Sequence, residues 1–204
     1  NAPALWEDPR VGGRPNGGKG IRLASMDGGV HHQAAMFNGE GYSYPRGYPL
    51  GFLSNTNGKI IVSRAYFRTW DPPSDGDENP WPGTRGTPHG VHTAGTAAGD
   101  IVTADYQGAK VQISGVAPAA YVMSYRVFYN SITNDGSFYN AEGVAALEDI
   151  VRDGAQVLNT SWGDAQISPG GEYDAIDSAL INAARAGIFI AMSNGNAGPL
   201  SQTG

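Results

Sequence analysis

Residues 140–193, NAEGVAALEDIVRDGAQVLNTSWGDAQISPGGEYDAIDSALINAARAGIFIAMS, contain two successive units of helix followed by strand, and they decide the fold. In the first unit, apolar residues recur at helical spacing from Asn140, which can cap the helix, to about Asp153. Residues 156–160 then predict a strand. The second unit places a helix over residues 172–186 and an apolar strand over residues 188–193. Strands that alternate with helices predict crossover connections and a mainly parallel sheet.

The rest of the chain extends this sheet. Further strands are predicted over residues 21–26, 59–67 and 120–128, and residues 89–102 carry small residues at the spacing of a closely packed helix. We therefore predict an α/β fold with three layers, in which a mainly parallel sheet has helices on both faces. Residues 1–20 lack any period and are expected to form an irregular N-terminal arm, while residues 21–204 form one domain.

Composition excludes several classes of function. The chain of 204 residues has 13 basic and 19 acidic side chains, a net charge of −6 and no basic run, which argues against a nucleic-acid partner. No stretch approaches the roughly 20 apolar residues of a membrane helix, so we expect no membrane partner. The chain has no cysteine, which excludes disulfides, thiol catalysis and thiolate metal sites within it.

The polar residues at the ends of the predicted strands point to acyl transfer. In open α/β sheets, sites form at the carboxyl ends of the strands, where Asp27, Ser161 and Asn196 are expected. His89 begins a helix after a long loop. A carboxylate can hold the tautomer of a histidine, and an amide can donate to an oxyanion. This pattern alone is a weak indication.

Five motifs sharpen it. IRLASMDGG resembles the Asp block of the subtilisin-like serine proteases (subtilases), and HGVHTAGTAAG resembles their His block. GVAPAAYVMSYRVF, NTSWG and SNGNAGP are similar to three further blocks of that family. The five motifs occur in family order over residues 21–199, nearly the whole chain, and together they are very specific.

The resemblance implies a role for each matching residue. Asp27 would orient the imidazole of His89, which would act first as general base and then as general acid. Asn196 would donate its side-chain amide to the oxyanion. Two segments would pair with the backbone of an extended polypeptide substrate, and their residues are Gly136, Ser137, Phe138, Ser161, Trp162 and Gly163.

The chain departs from the family pattern at several points. Gly28 replaces the usual Ser or Thr after the aspartate, and Val91 replaces Thr in the His block. The nucleophile block, G-T-S-x-A, follows the asparagine in the family, and no serine of this chain has that context. We therefore expect residues 21–204 to be the N-terminal two-thirds of a subtilase catalytic domain. The remainder, with the serine, would be another chain or segment. The alternative is a non-catalytic fragment or pseudo-protease that binds extended peptides or a partner chain.

The resemblance also concerns metal binding and the cellular location of the protein. Subtilases often use calcium, and Asp71, Asp75, Asp77 and Glu78 could hold it, but their spacing matches no EF-hand loop. We expect a solvated acidic loop there, with no cofactor required and calcium possible. His31 and His32 are expected to be a solvated turn pair rather than a metal site. The resemblance implies a secreted, extracellular protein.

Two surfaces should depend on the missing part of the domain. In subtilases the helix that bears the serine packs in the middle of the domain. Without it, we expect the small-residue face of residues 89–102 and much of the strand 188–193 to be exposed. His92 is expected to be a packed helix residue.

Overall fold

The structure is a computed structural model and describes residues 2–163 and 173–196. Its central sheet has six strands, and every neighbouring pair is parallel. The strands, in their order across the sheet, are β2 (Leu50–Gly51), β3 (Ile60–Ala65), β6 (Tyr121–Arg126), β1 (Arg22–Asp27), β7 (Val157–Thr160) and β8 (Phe189–Met192). The five longer strands lie within or next to the predicted ones. The crossovers place the carboxyl ends of all six strands at one edge of the sheet.

Helices cover both faces of this sheet. Successive side chains of a strand point to opposite faces, and they form one buried cluster on each face. On one face, Met26 and Tyr125 pack with residues of α3 (Asn140–Arg152) and α4 (Ala175–Arg185). On the other face, Leu23 and Val122 pack with residues of α2 (His89–Ala98). The three-layer α/β arrangement predicted from the sequence is confirmed.

The helix boundaries differ from the prediction in two units. Asn140 is the first residue of α3, and Tyr139 precedes it as the cap, with its backbone N–H donating to the Glu142 carboxylate over 3.3 Å. In α4, the Asp174 side chain accepts the N–H groups of Ile176 and Asp177, so the helix begins at Ala175. The predicted start of that helix at residue 172 lies outside the described residues.

A β-hairpin between α2 and β6 is absent from the prediction. The helix predicted over residues 89–102 ends at Ala98, and Val102 begins strand β4 (Val102–Tyr106), which pairs antiparallel with β5 (Ala109–Ile113). Gln107 and Gly108 connect the strands with φ angles of 50° and 82°, as in the two-residue turns that suit the twist of a hairpin.

The N-terminal arm is more regular than expected. It contains a short helix, α1 (Ala2–Trp6), and one 3₁₀ turn, Arg14–Asn16. The Trp6 indole N–H donates to the Val116 carbonyl oxygen over 2.8 Å, which fixes the arm to the segment after the hairpin. Two more 3₁₀ turns, Ala35–Phe37 and Leu53–Asn55, interrupt the long segment between β1 and β3.

The two surfaces expected to be exposed behave differently. In β8, Phe189 is 70% exposed and Met192 is 57% exposed, as expected. The small-residue face of α2 is instead buried at Ala94 and Ala98, because Phe37 packs against it. None of the helices in the described part of the chain is both long and apolar enough to cross a membrane.

Candidate active site

Asp27 is the last residue of β1 and therefore lies at the carboxyl edge of the sheet. Its side chain is 1% exposed and is held by the backbone N–H of Gly28, which donates to Oδ1 over 2.6 Å. Its own carbonyl oxygen accepts the N–H groups of Val127 and Phe128, which follow β6. The carboxylate is thus buried and fixed.

His89 is the first residue of α2, and its ring lies directly against this carboxylate. Nδ1 is 2.9 Å from both carboxylate oxygens of Asp27, while half of the His89 side chain remains exposed. A carboxylate at Nδ1 favours the tautomer with its proton on Nδ1. The lone pair of a neutral imidazole is then on Nε2, which is the arrangement that general base catalysis requires.

Two threonines complete this site, and sequence reasoning missed both. Thr93 lies one helical turn after His89, and its hydroxyl donates to Asp27 Oδ2 over 3.3 Å. Thr87 accepts the backbone N–H of His89 on its hydroxyl oxygen over 3.2 Å. The spacing of four residues between His89 and Thr93 was a usable signal, since such residues share one face of a helix.

A buried ion pair fixes the loop that leads to His89. The expectation of a solvated acidic loop is wrong for Asp71 and Asp77, which are both buried. Asp77 and Arg126 are fully buried and 2.7 Å apart. Arg126 also donates to the carbonyl oxygens of Asp77, Asn79 and Trp81. Burial lowers the pKa of Arg126 from its usual value, although the hydrogen bond and charge of Asp77 act in the opposite direction.

Both buried carboxylates of this loop are bonded to protein donors. Asp77 also accepts the backbone N–H groups of Gly83 and Asn130, and Asp71 is bonded to Arg68 and Thr133. A calcium ion would have to displace these donors. Within the described ranges, no three His, Cys, Asp or Glu side chains are grouped so that they could hold a metal ion.

In the described part of the chain, the other three histidines are not hydrogen-bonded to Asp27. His31 and His32 are half-buried and stacked at 5.2 Å, with Trp81 against both rings, so they are not the solvated pair that was expected. Burial and the neighbouring His32 lower the pKa of His31. His92, expected to be packed, is exposed.

The two predicted substrate segments meet through their aromatic side chains. Phe138 contacts Trp162 edge to face at 4.9 Å, and Phe128 contacts Phe138 in the same way at 5.0 Å. The Trp162 indole N–H donates to the carbonyl oxygen of Met26 over 2.9 Å, one residue before Asp27. Gly136, Ser137 and Gly163 are exposed, and Ser161 is half-buried.

Asn196 lies in an exposed bend after β8, at the same edge of the sheet as Asp27. Among the residues that the structure describes, hydrogen bonds join Asp27 to His89 but not to Asn196, and no serine hydroxyl is hydrogen-bonded to the His89 ring. The structure thus brings two of the three predicted catalytic residues into contact.

Comparisons with known proteins identify the family of the chain. The model of the subtilase family matches residues 18–204. Subtilisin-like protease SBT1.4 of Arabidopsis thaliana is 31% identical over 157 residues, covering 74% of this chain and 20% of the relative. Minor extracellular protease Vpr of Bacillus subtilis (strain 168) is 33% identical over 184 residues, covering 89% of this chain and 18% of the relative. The chain thus spans about a fifth of the length of these relatives.

The fold is also similar to that of a solved protease structure. A solved structure described as S41 Psychrophilic Protease superposes with a TM-score of 0.52 at 23% identity, over 90% of this chain and 48% of that one. At this identity the likeness concerns the fold alone. The family match over residues 18–204 extends from the segment before β1 to the end of the chain. The chain belongs to the subtilase family.

Proposed function

We propose that this chain is part of a secreted serine endopeptidase in which Asp27 and His89 are two members of an Asp-His-Ser triad. The observation that carries the proposal is the contact of 2.9 Å between His89 Nδ1 and the buried Asp27 carboxylate. Extracellular location is supported by the name of one relative, Minor extracellular protease Vpr.

The reaction divides into two acyl transfers. His89 takes the proton of a serine hydroxyl on Nε2 while the serine oxygen attacks the peptide carbonyl, and it then returns this proton to the leaving amine. Water, activated by the same imidazole, releases the acyl group in the second transfer. Asp27 stabilises the imidazolium that forms in each. We propose that the amide of Asn196 donates to the oxyanion, a kind of contact that is worth about 3 kcal/mol in subtilisin itself.

The serine itself is proposed to come from polypeptide outside these 204 residues. Support comes from the sequence, where no serine stands in the family's nucleophile block, and from the relatives, which are several times longer. The substrate would be an extended polypeptide that pairs with the segments Gly136–Phe138 and Ser161–Gly163. No step of this mechanism uses a metal ion.

Hydrolysis of an unfolded protein substrate tests the proposal. The intact protein that contains this chain should hydrolyse casein, and His89→Ala should lower kcat by about 10³-fold or more. His92→Ala is the matched control, because it removes a histidine from the same helix that is not hydrogen-bonded to Asp27 in the described part of the chain, and it should lower kcat far less than His89→Ala. An intact protein that binds casein without cleaving it would instead establish the pseudo-protease alternative.

A further inference from the structure

Arg68 lies in a buried cluster of charged side chains beside the segment Gly136–Phe138. Its side chain is wholly buried, and its Nη1 donates to the carbonyl oxygen of Ser137 over 2.7 Å. Nη2 donates to the Asp71 carboxylate over 3.0 Å. Burial of a guanidinium is costly unless its partners are fixed, so this arrangement requires a defined geometry around Arg68.

Aromatic rings and two more carboxylates restrict the guanidinium further. The rings of Tyr129 and Tyr139 lie 4.9 Å and 5.0 Å from it. Asp135 is 3.7 Å from Nη2, and Glu142 is 3.6 Å from Nε. Tyr139 is the cap residue before α3, Glu142 lies in its first turn, and Asp135 precedes Gly136. Arg68 therefore touches the segment from both of its ends.

Both backbone polar groups of Ser137 are hydrogen-bonded to these neighbours. Its N–H donates to Asp135 Oδ1 over 2.9 Å, and its carbonyl oxygen accepts from Arg68. The hydroxyl of Tyr139 donates to the second oxygen of Asp135 over 2.8 Å, which fixes that carboxylate. The bond from the Ser137 N–H to the side chain two residues before it is that of an Asx-turn, so the chain is bent at this point. Arg68 and Asp135 together therefore fix the conformation of the segment Gly136–Phe138 at Ser137.

We propose that Arg68 is a positioning residue for substrate binding, which holds the backbone of Ser137 and thereby fixes the segment Gly136–Phe138, with which an extended polypeptide would pair. This inference rests on the proposed function and deepens it, since it concerns how the same site recognises long substrates. Arg68 touches no reacting atom, so its effect should depend on substrate length.

A pair of substrates of different length tests this role in the intact protein. A hexapeptide can pair as a strand, whereas an ester of a single acetylated amino acid cannot. Arg68→Lys keeps the charge but lacks the planar fork, and it should raise KM for the hexapeptide about tenfold with kcat unchanged. The same variant should leave kcat/KM for the ester unchanged.

Two further variants keep the test interpretable. Asp135→Ala removes a partly exposed carboxylate and should give the same length-dependent change, but smaller, even where Arg68→Lys does not fold. Arg64→Lys is the matched control, since Arg64 forms a two-pronged pair with Asp153 away from this segment, and both substrates should be unaffected. Equal losses on the hexapeptide and the ester would overturn the proposal.

Binding without turnover separates this proposal from the proposed function. In a His89→Ala background, calorimetry should show that Arg68→Lys weakens binding of the uncleaved hexapeptide about tenfold. A protein that never hydrolyses the hexapeptide but shows this weakening would reject the endopeptidase and support the positioning role. Unchanged or absent hexapeptide binding would overturn the positioning role.

Discussion

Asp77 and Arg126 form an ion pair of 2.7 Å in which neither side chain is exposed. Arg126 stands opposite Asp27 in the register of β6 and β1, and the loop held by the pair leads directly to His89. Asp77 also accepts the backbone N–H of Asn130, in the segment that continues to Gly136. One buried pair therefore connects the loop before the histidine, the strand next to Asp27 and the chain leading to the substrate segment.

Removal of Asp77 should strongly destabilise the protein. Asp77→Ala leaves the Arg126 guanidinium buried without its counter-charge, and we expect the free energy of unfolding to fall by about 3–5 kcal/mol. The exposed pair of Lys110 with Asp105 supplies the control, because Asp105→Ala should cost less than about 1 kcal/mol. Urea denaturation of both variants measures the difference. Equal losses would show that the buried pair is no more important than a surface pair.

Gly28 packs so closely against Thr87 that a larger residue would not fit without a shift. A Cβ atom on Gly28 would lie 2.9 Å from the Thr87 methyl group, and Thr87 also holds the backbone N–H of His89. Gly28→Ser should therefore destabilise by about 1–3 kcal/mol through overpacking, and it should lower kcat by moving His89.

The double variant Gly28→Ser with Thr87→Ser tests this explanation, because serine lacks the methyl group but keeps the hydroxyl that accepts from His89. It should recover part of the lost stability and activity, as measured by urea denaturation and peptide hydrolysis, because the Thr87 carbonyl oxygen still lies 3.1 Å from that Cβ. Additive losses in the double variant would contradict the steric account.

The Asp27 carboxylate should matter far more than its threonine partner. Asp27→Asn retains the shape but offers a donor to Nδ1, which favours the wrong tautomer of His89, and kcat should fall by about 10⁴-fold. Thr93→Val removes a hydroxyl that lies 3.3 Å from both Asp27 Oδ2 and the Gly90 carbonyl oxygen, and because both contacts are long we expect less than a tenfold loss. Steady-state kinetics on one peptide would compare the two. Similar losses would show that Thr93 shares the role of Asp27.

Acid should weaken the cluster around Arg68. Hydrogen bonds from the Ser137 backbone and the Tyr139 hydroxyl hold the pKa of Asp135 below its usual value. Burial raises the pKa of Asp71, but hydrogen bonds from Ser131 and Thr133 and the charge of Arg68 lower it by more. Since both folded pKa values are depressed, their stabilisation is complete above about pH 4 and is lost as the pH falls through the folded values.

Denaturation midpoints in urea between about pH 6 and about pH 2.5 test this dependence. The wild type should lose stability over the acid part of the range, and Asp135→Asn should lose less, because asparagine has no proton to bind there. Parallel curves for the two proteins would contradict the contribution of Asp135.

The local pattern predicted the sheet because its strands are short apolar segments, and the resemblance of two motifs to the subtilase family implied the contact between Asp27 and His89. Apolar runs located the five longer strands of the sheet, and the ends of those strands located Asp27 at the correct edge. The hairpin of β4 and β5 was missed because small residues suggested that α2 continued to Val102. Two five-residue runs separated by Gln107 and Gly108 were the signal for it.

The buried acidic residues were not predictable in the same way. Asp71 and Asp77 stand in a loop rich in charge, glycine and proline, which is typical of a solvated surface. Arg126, the partner of Asp77, is 49 positions further along the chain, and the fold alone brings the two together. Charge in a sequence therefore indicates exposure only where no distant partner is available.

The central claim is that His89, held by Asp27, activates a serine. Labelling by a fluorophosphonate, followed by intact mass, tests it most directly, because this reagent reacts with activated serine hydroxyls. We predict stoichiometric labelling of the intact protein, none after His89→Ala, and none of the isolated 204-residue chain. Equal labelling of the wild type and His89→Ala, or stoichiometric labelling of the isolated chain, would contradict the account.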